Sequence, residues 1–166
     1  VPTFHEFAFS GANPTTHIVT ITPSAPANTV PTADAGIAQS VAQGAVVSLD
    51  GTGSTANDSG QSLTYTWTQT AGTAVTLSSA TAASPSFTAP SLNIGDTALV
   101  LTFSLVVDDG FDASTADTVQ ITVNAPANTV PTAEAGIPQS VAQGAVVSLD
   151  GTGSTANDSG QSLTYA

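Results

Sequence analysis

The chain has 166 residues with no Lys, Arg, Cys or Met, and its 12 Asp and Glu set a formal charge of −12. Without a cationic side chain it cannot neutralise nucleic-acid phosphates, and anionic lipid surfaces repel it. Without cysteine it has neither a disulfide framework nor a thiolate metal site, and its apolar runs fall well short of the roughly 20 residues a membrane helix needs.

In chain order, the first 26 residues hold two apolar runs. Phe7-Ala8-Phe9, a turn-rich stretch at 11–16 and an alternating run at 18–22 predict two strands. From residue 27 a fuller series begins. Gln39–Ala42 predicts a first, edge strand, and 45–50 a second. In 62–69, Leu63, Tyr65 and Trp67 alternate with Ser and Thr, the pattern of a half-buried strand. Short runs at 75–78 and 84–88 are further strand candidates. Leu99, Leu101, Phe103, Leu105 and Val107 share one face of a long strand. Val119, Ile121 and Val123 do the same against Thr118, Gln120 and Thr122. Between these runs lie Asp50-Gly51-Thr52-Gly53, Asn57-Asp58-Ser59-Gly60 and Asp108-Asp109-Gly110, all turn chemistry. No amphipathic helix pattern interrupts them.

Residues 127–165 then repeat 27–65 with 37 of 39 positions identical; only Asp34/Glu134 and Ala38/Pro138 differ. The same 100-residue offset sets HIVTIT at 17–22 over DTVQIT at 117–122. The period is that of a small all-β domain. The reading is therefore three parts: 1–26 as the last two strands of a diverged preceding repeat, 27–126 as a complete unit, and 127–166 as the first strands of the next. The absence of an initiating Met and of a charged-then-apolar leader reads as a mature protein or a fragment. Some seven short strands per unit, with a central Trp, predict an all-β immunoglobulin-like β-sandwich with partial neighbouring repeats at both ends.

Five motifs carry a family resemblance. Asn28-x-x-Pro31-x-Ala33-Asp34-Ala35-Gly36 is followed by Val47-x-Leu49-Asp50-Gly51-x-Gly53-Ser54 and by Leu63-Thr64-Tyr65-x-Trp67-x-Gln69. Val107-Asp108-Asp109-Gly110 and Asp117-Thr118-Val119-x-Ile121-x-Val123 complete the order. The series resembles a PKD-type domain of the REJ/PKD branch, as found in bacterial and archaeal secreted and surface proteins. The resemblance covers 27–126 and the matching part of 127–165. It implies an extracellular sandwich used as spacer, adhesion or interaction module, without catalysis. It also implies calcium, a hard cation taking six to eight oxygen ligands, at Asn28, Asn57, Asp58 and Asp108 or Asp109. One departure weighs against the ion: where the family carries Asp-x-Asp-Gly, this chain has Ala56-Asn57-Asp58-Ser59-Gly60. Asp34, Asp50 and Asp112 are further candidates to join the ion that read first as turn residues, and the other reading of the whole set is turn chemistry with no ion.

Other candidates are thinner. His5 and His17 are the only histidines, and both precede the complete unit. That unit therefore has no Ser-His-Asp chemistry. Asp108 and Asp109 adjoin in a turn and do not predict a pair facing across a cleft. Asn57-Asp58-Ser59 and Asn157-Asp158-Ser159 match the N-glycosylation acceptor pattern. Trp67 reads as core because Leu63 and Tyr65 share its face, which leaves Phe111 as the exposed aromatic.

The expected function is a structural extracellular tandem-repeat protein forming a stalk, adhesin array or filament. Its partners are copies of itself or adjacent repeats, head to tail: either both ends continue covalently in a longer array, or strand complementation between subunits completes them, with no nucleic acid and no membrane insertion. The alternative is an accessory carbohydrate- or polymer-binding spacer of a secreted enzyme, with surface polysaccharide as partner. The missing Lys, Arg, Cys and Met suit life outside cells, since trypsin-like proteases find no site and oxidation finds no sulfur.

Overall fold

The computed structural model describes residues 24–165. Among them are six strands and no helix: β1 (Gln39–Ala42), β2 (Val46–Ser48), β3 (Thr64–Ala71), β4 (Ser86–Thr88), β5 (Leu99–Asp108) and β6 (Asp117–Asn124). They form a four-stranded sheet in the order β1-β6-β5-β3 and a two-stranded sheet β2-β4. All strand pairs are antiparallel except β1 with β6, which runs parallel with Gln39 opposite Ile121 and Ala42 opposite Asn124.

The alternation seen in the sequence is what closes the two sheets on each other. Leu101, Phe103, Leu105 and Val107 of β5 are completely buried, as are Ile121 and Val123 of β6. Their intervening residues lie on the outer face. Val47 and Leu49 reach in from the other sheet and its continuation. Phe87 of β4 packs on Phe103 with ring centroids 5.0 Å apart and planes tilted by 38°, a favourable aromatic geometry. Trp67 is 3% exposed, and its Nε1–H donates to the Ala82 carbonyl at 3.1 Å. Burying the indole therefore leaves no orphan donor.

Four expected strands differ from the structure: 45–50 contracts to Val46–Ser48, 62–69 shifts to Thr64–Ala71, and the runs at 75–78 and 84–88 depart further. Residues 75–78 form no strand, although Ser78 N–H still donates to the Ser86 carbonyl at 2.7 Å. The Val75 N–H is taken by the Gln69 side-chain oxygen at 2.9 Å, so a side chain replaces the ladder there. The run at 84–88 contracts to Ser86–Thr88 because Pro85 has no N–H to give. After β1 the chain turns through Gln43 and Gly44 and changes sheet. That turn is pinned by Gln43 N–H to Asn124 carbonyl and Gly44 N–H to Ala89 carbonyl, both at 3.1 Å.

Residues 127–165 reproduce the turns of 27–65 but not its strands. The Thr32–Thr55 bridge recurs as Thr132–Thr155. Asn57 and Asn157 share the left-handed conformation, with φ of 68° and 66°. No strand forms over 139–148, and the apolar face lies open: Leu149 is 87% exposed where Leu49 is 0%, and Val147 45% where Val47 is 1%.

Candidate functional site

The sandwich has two poles, and the residues named for calcium were drawn from loops at one of them. The structure brings some of them together. Asn28 precedes the first strand and reaches the β5–β6 turn, where its Nδ2 donates to Asp109 at 3.3 Å and to Asp112 at 2.9 Å. Gln61 Nε2 donates to Asn28 Oδ1 at 2.6 Å. Asp58 stands close by along the chain, accepting the Thr29 N–H at 2.6 Å. Asp109 is the one buried charged side chain among the described residues, at 5% exposure.

Asp109 keeps its charge through hydrogen bonds. The Asp112 N–H at 2.8 Å and the Phe111 N–H at 2.9 Å donate to its Oδ1. The first of these is the main reason its pKa lies below the usual 3.8, with burial opposing it and Asn28 helping. The sign follows from linkage. The folded form holds the proton less tightly than the unfolded chain. The stabilisation is therefore present above about pH 3.8 and is lost as pH falls through the lower folded value. We expect the acid loss of stability between pH 5 and 2, read by Trp67 fluorescence, to be shallower in Asp109→Asn. At pH 7 the same variant is less stable than the parent.

Asn57 and Asp108 do not join this cluster. Asn57 Nδ2 donates to the Val30 carbonyl at 2.7 Å and to Thr32 Oγ1 at 3.1 Å, clamping the entry segment to its turn. The same nitrogen would carry an N-linked sugar, so its two bonds favour the turn role over the glycosylation reading. Asp108 accepts the Gly110 N–H at 2.7 Å, a local turn bond. Asp34 and Asp50 likewise cap their own turns, accepting from Gly36 N–H and Thr52 N–H. The hydroxyl of Thr52 is the chief cause of the lowered Asp50 pKa. Among the described residues no three carboxylate or imidazole side chains converge as a metal-binding group. His5 and His17 lie outside the described residues.

The sequence names no role for Gln61, and it offers Asp112 both as a turn residue and as a candidate to join the ion. Gln61 lies 33 residues beyond Asn28, and no local pattern announces that pairing. Its Oε1 is buried without a hydrogen-bond partner. Phe111 is 75% exposed at the same pole, as its loop position predicts.

Strand order, a parallel first strand and a buried Trp on β3, the strand flanking β5, define an immunoglobulin-like sandwich of PKD type. A family model described as "K319L-like, PKD domain" matches residues 35–123, and the chain belongs to that family. Family members are typically non-catalytic. The comparison with curated proteins finds no match. Among solved structures, similar chains include a nucleoside hydrolase-related protein from Saccharophagus degradans associated with carbohydrate metabolism. It is 25% identical, with TM-score 0.44 over 60% of this chain. A Photobacterium 2,6-sialyltransferase is 28% identical, with TM-score 0.37 over 54%. An endo-fucoidan hydrolase of glycoside hydrolase family 107 is 24% identical, with TM-score 0.38 over 58%. This chain spans 26%, 17% and 14% of those three chains respectively. No helix among the described residues is long and apolar enough to cross a membrane.

Proposed function

We propose that the chain serves in an extracellular tandem-repeat structural protein, a stalk, adhesin array or filament, and is not an enzyme. The observation that carries this reading is a sandwich whose first 39 residues recur 100 residues on with two substitutions. Each sandwich acts as a rigid bead, and the Asn-Thr-Val-Pro segment at 28–31 and 128–131 is a short, Pro-stiffened link. The net charge of −12 keeps neighbouring arrays apart at low ionic strength, and salt screens it. Within this proposal, residues 127–166 of one molecule meet the last two strands expected in 1–26 of the next, a head-to-tail contact that does not close. Residues 1–23 lie outside the described residues.

Electron microscopy of the native material tests this. The expected result is uniform filaments with an axial repeat of roughly 30–40 Å, the span of the ten-residue β5 and its turns at about 3.3 Å per residue. Isolated globular particles at every concentration would overturn it.

Calcium at the Asn28 pole is part of the same proposal. Asp109, Asp112 and, with its amide turned over, Asn28 Oδ1 would supply three oxygens. Backbone carbonyls and water would complete the six to eight the ion takes. A ligand that binds only the folded state raises its melting temperature. Millimolar calcium is thus expected to raise the Tm over that in chelator, and Asp109→Asn to abolish the rise. An unchanged Tm removes the ion and leaves the array reading intact.

The exposure of Phe111 supports one second reading, a polymer-binding spacer module in a secreted enzyme. Retention on insoluble polysaccharide that Phe111→Ala abolishes would favour it; no retention by the parent chain would sink it.

A further inference from the structure

The half-sandwich formed by residues 66–126 has two segments in the same chain that fit it. Residues 27–65 occupy the seat, with Ala35, Val47 and Leu49 at 1%, 1% and 0% exposure. Residues 127–165 carry the same side chains at the corresponding positions, Ala135, Val147 and Leu149. There the three residues lie exposed, and Val147 and Leu149 line a shallow groove with Ile137 and Pro138. The two substitutions do not touch the seat's core. Asp34 bonds to Ser54 and Gly36 within its own segment, and Glu134 repeats both bonds with Ser154 and Gly136. Position 38, Ala or Pro, precedes the first ladder residue.

We propose that residues 127–165 of one molecule take the seat of residues 27–65 on the 66–126 half of another. This differs from completion by residues 1–26 and does not depend on it. Geometry decides that the exchange runs between molecules. A seated segment begins at the pole where Asn28 meets Asp112. β6 ends at the opposite pole, where Gln43 meets Asn124. Eight residues of β6 at about 3.3 Å each separate the two. The four residue steps from Asn124 to Asn128 span at most about 14 Å fully extended, well short of that distance, so Asn128 of the same molecule cannot reach the place of Asn28. The resulting contact is head-to-tail and open-ended. In the parent chain, residues 27–65 compete from within at an effective concentration on the order of millimolar. Exchange is therefore rare at micromolar chain.

Disabling the resident segment tests the exchange. Leu49→Asp puts a carboxylate into a fully buried apolar place and leaves Leu149 free to replace it. We expect the full-length L49D chain, refolded at about millimolar concentration, to form a ladder of oligomers with Trp67 emission as blue as in the parent. L49D/L149D is expected to be monomeric, with Trp67 emission red-shifted as in denaturant. L149D alone stays a folded monomer, because Leu149 is 87% exposed. Adding Asn128→Cys and Asp112→Cys to L49D, in a chain with no other cysteine, should lock the ladder as disulfide-linked oligomers on a non-reducing gel. If L49D unfolds like the double variant, the proposal fails. It fails equally if L49D stays a monomer with buried Trp67, since the seat would then be filled from within.

Discussion

Leu49→Ala and Leu149→Ala, the same substitution in the same local sequence, will differ in cost by about 2–5 kcal/mol. Leu49 is fully buried beneath both sheets, and Leu149 is 87% exposed. Truncating the first removes its transfer free energy and leaves a cavity between β5 and the β2 side of the sandwich. Truncating the second removes only contacts with water and belongs with surface changes of about 0.5 kcal/mol or less. A domain of this size is stable by about 5–15 kcal/mol, so the first variant loses a large share of its stability. Urea unfolding followed by the emission of Trp67, at micromolar chain so that exchange does not intervene, reads both. Equal midpoints for the two variants would show that residues 127–165 are as deeply packed as 27–65, contrary to the structure.

Gly72→Ala is the second large effect. Gly72 follows the bulge between Gln69 and Ala71 and has φ of 90°, where an L side chain costs about 1–2 kcal/mol. An added Cβ would also meet the Val100 carbonyl oxygen at 2.5 Å and Leu101 Cδ2 at 2.7 Å. The first neighbour is backbone of the central strand β5 and cannot swing aside. Overpacking of this kind costs a further 1–3 kcal/mol or so. We expect a loss of about 2–5 kcal/mol on adding the two contributions, with β5 shifted against β3. Gly95→Ala is the control. Gly95 has φ of 87° with open space around its Cβ position, so it bears the backbone cost alone. If the two variants melt together, the steric part of the argument is wrong.

Much of this protein was legible in one dimension because a strand's side chains alternate with a period of two. Leu101, Phe103, Leu105 and Val107 could only be the inner face of one strand, and Trp67 with Leu63 and Tyr65 the inner face of another. The repeat was legible because identity needs no folding to be seen. The shorter elements were less so. The stretch at 75–78 has strand composition, yet its backbone is met by the Gln69 side chain, a choice made by a neighbour six residues away. The acidic pole was legible only in part. Asn28 and Asp109 were named from motif positions, but Asn57 turned toward Val30 and Thr32, and Gln61 entered unannounced.

By itself, then, the sequence determined the all-β class, the core faces, the turn positions, the 100-residue period and the family resemblance. Each of these rests on local chemistry or on identity. Tertiary structure alone decided which strands are neighbours, β1 running parallel to β6 across some 80 residues of chain. It also decided which carboxylates share a pole and what becomes of identical segments. Residues 27–65 bury their apolar face and 127–165 expose the same one. Burial belongs to the pairing of a segment with its complement, and no property of the segment's own residues records whether that complement is at hand.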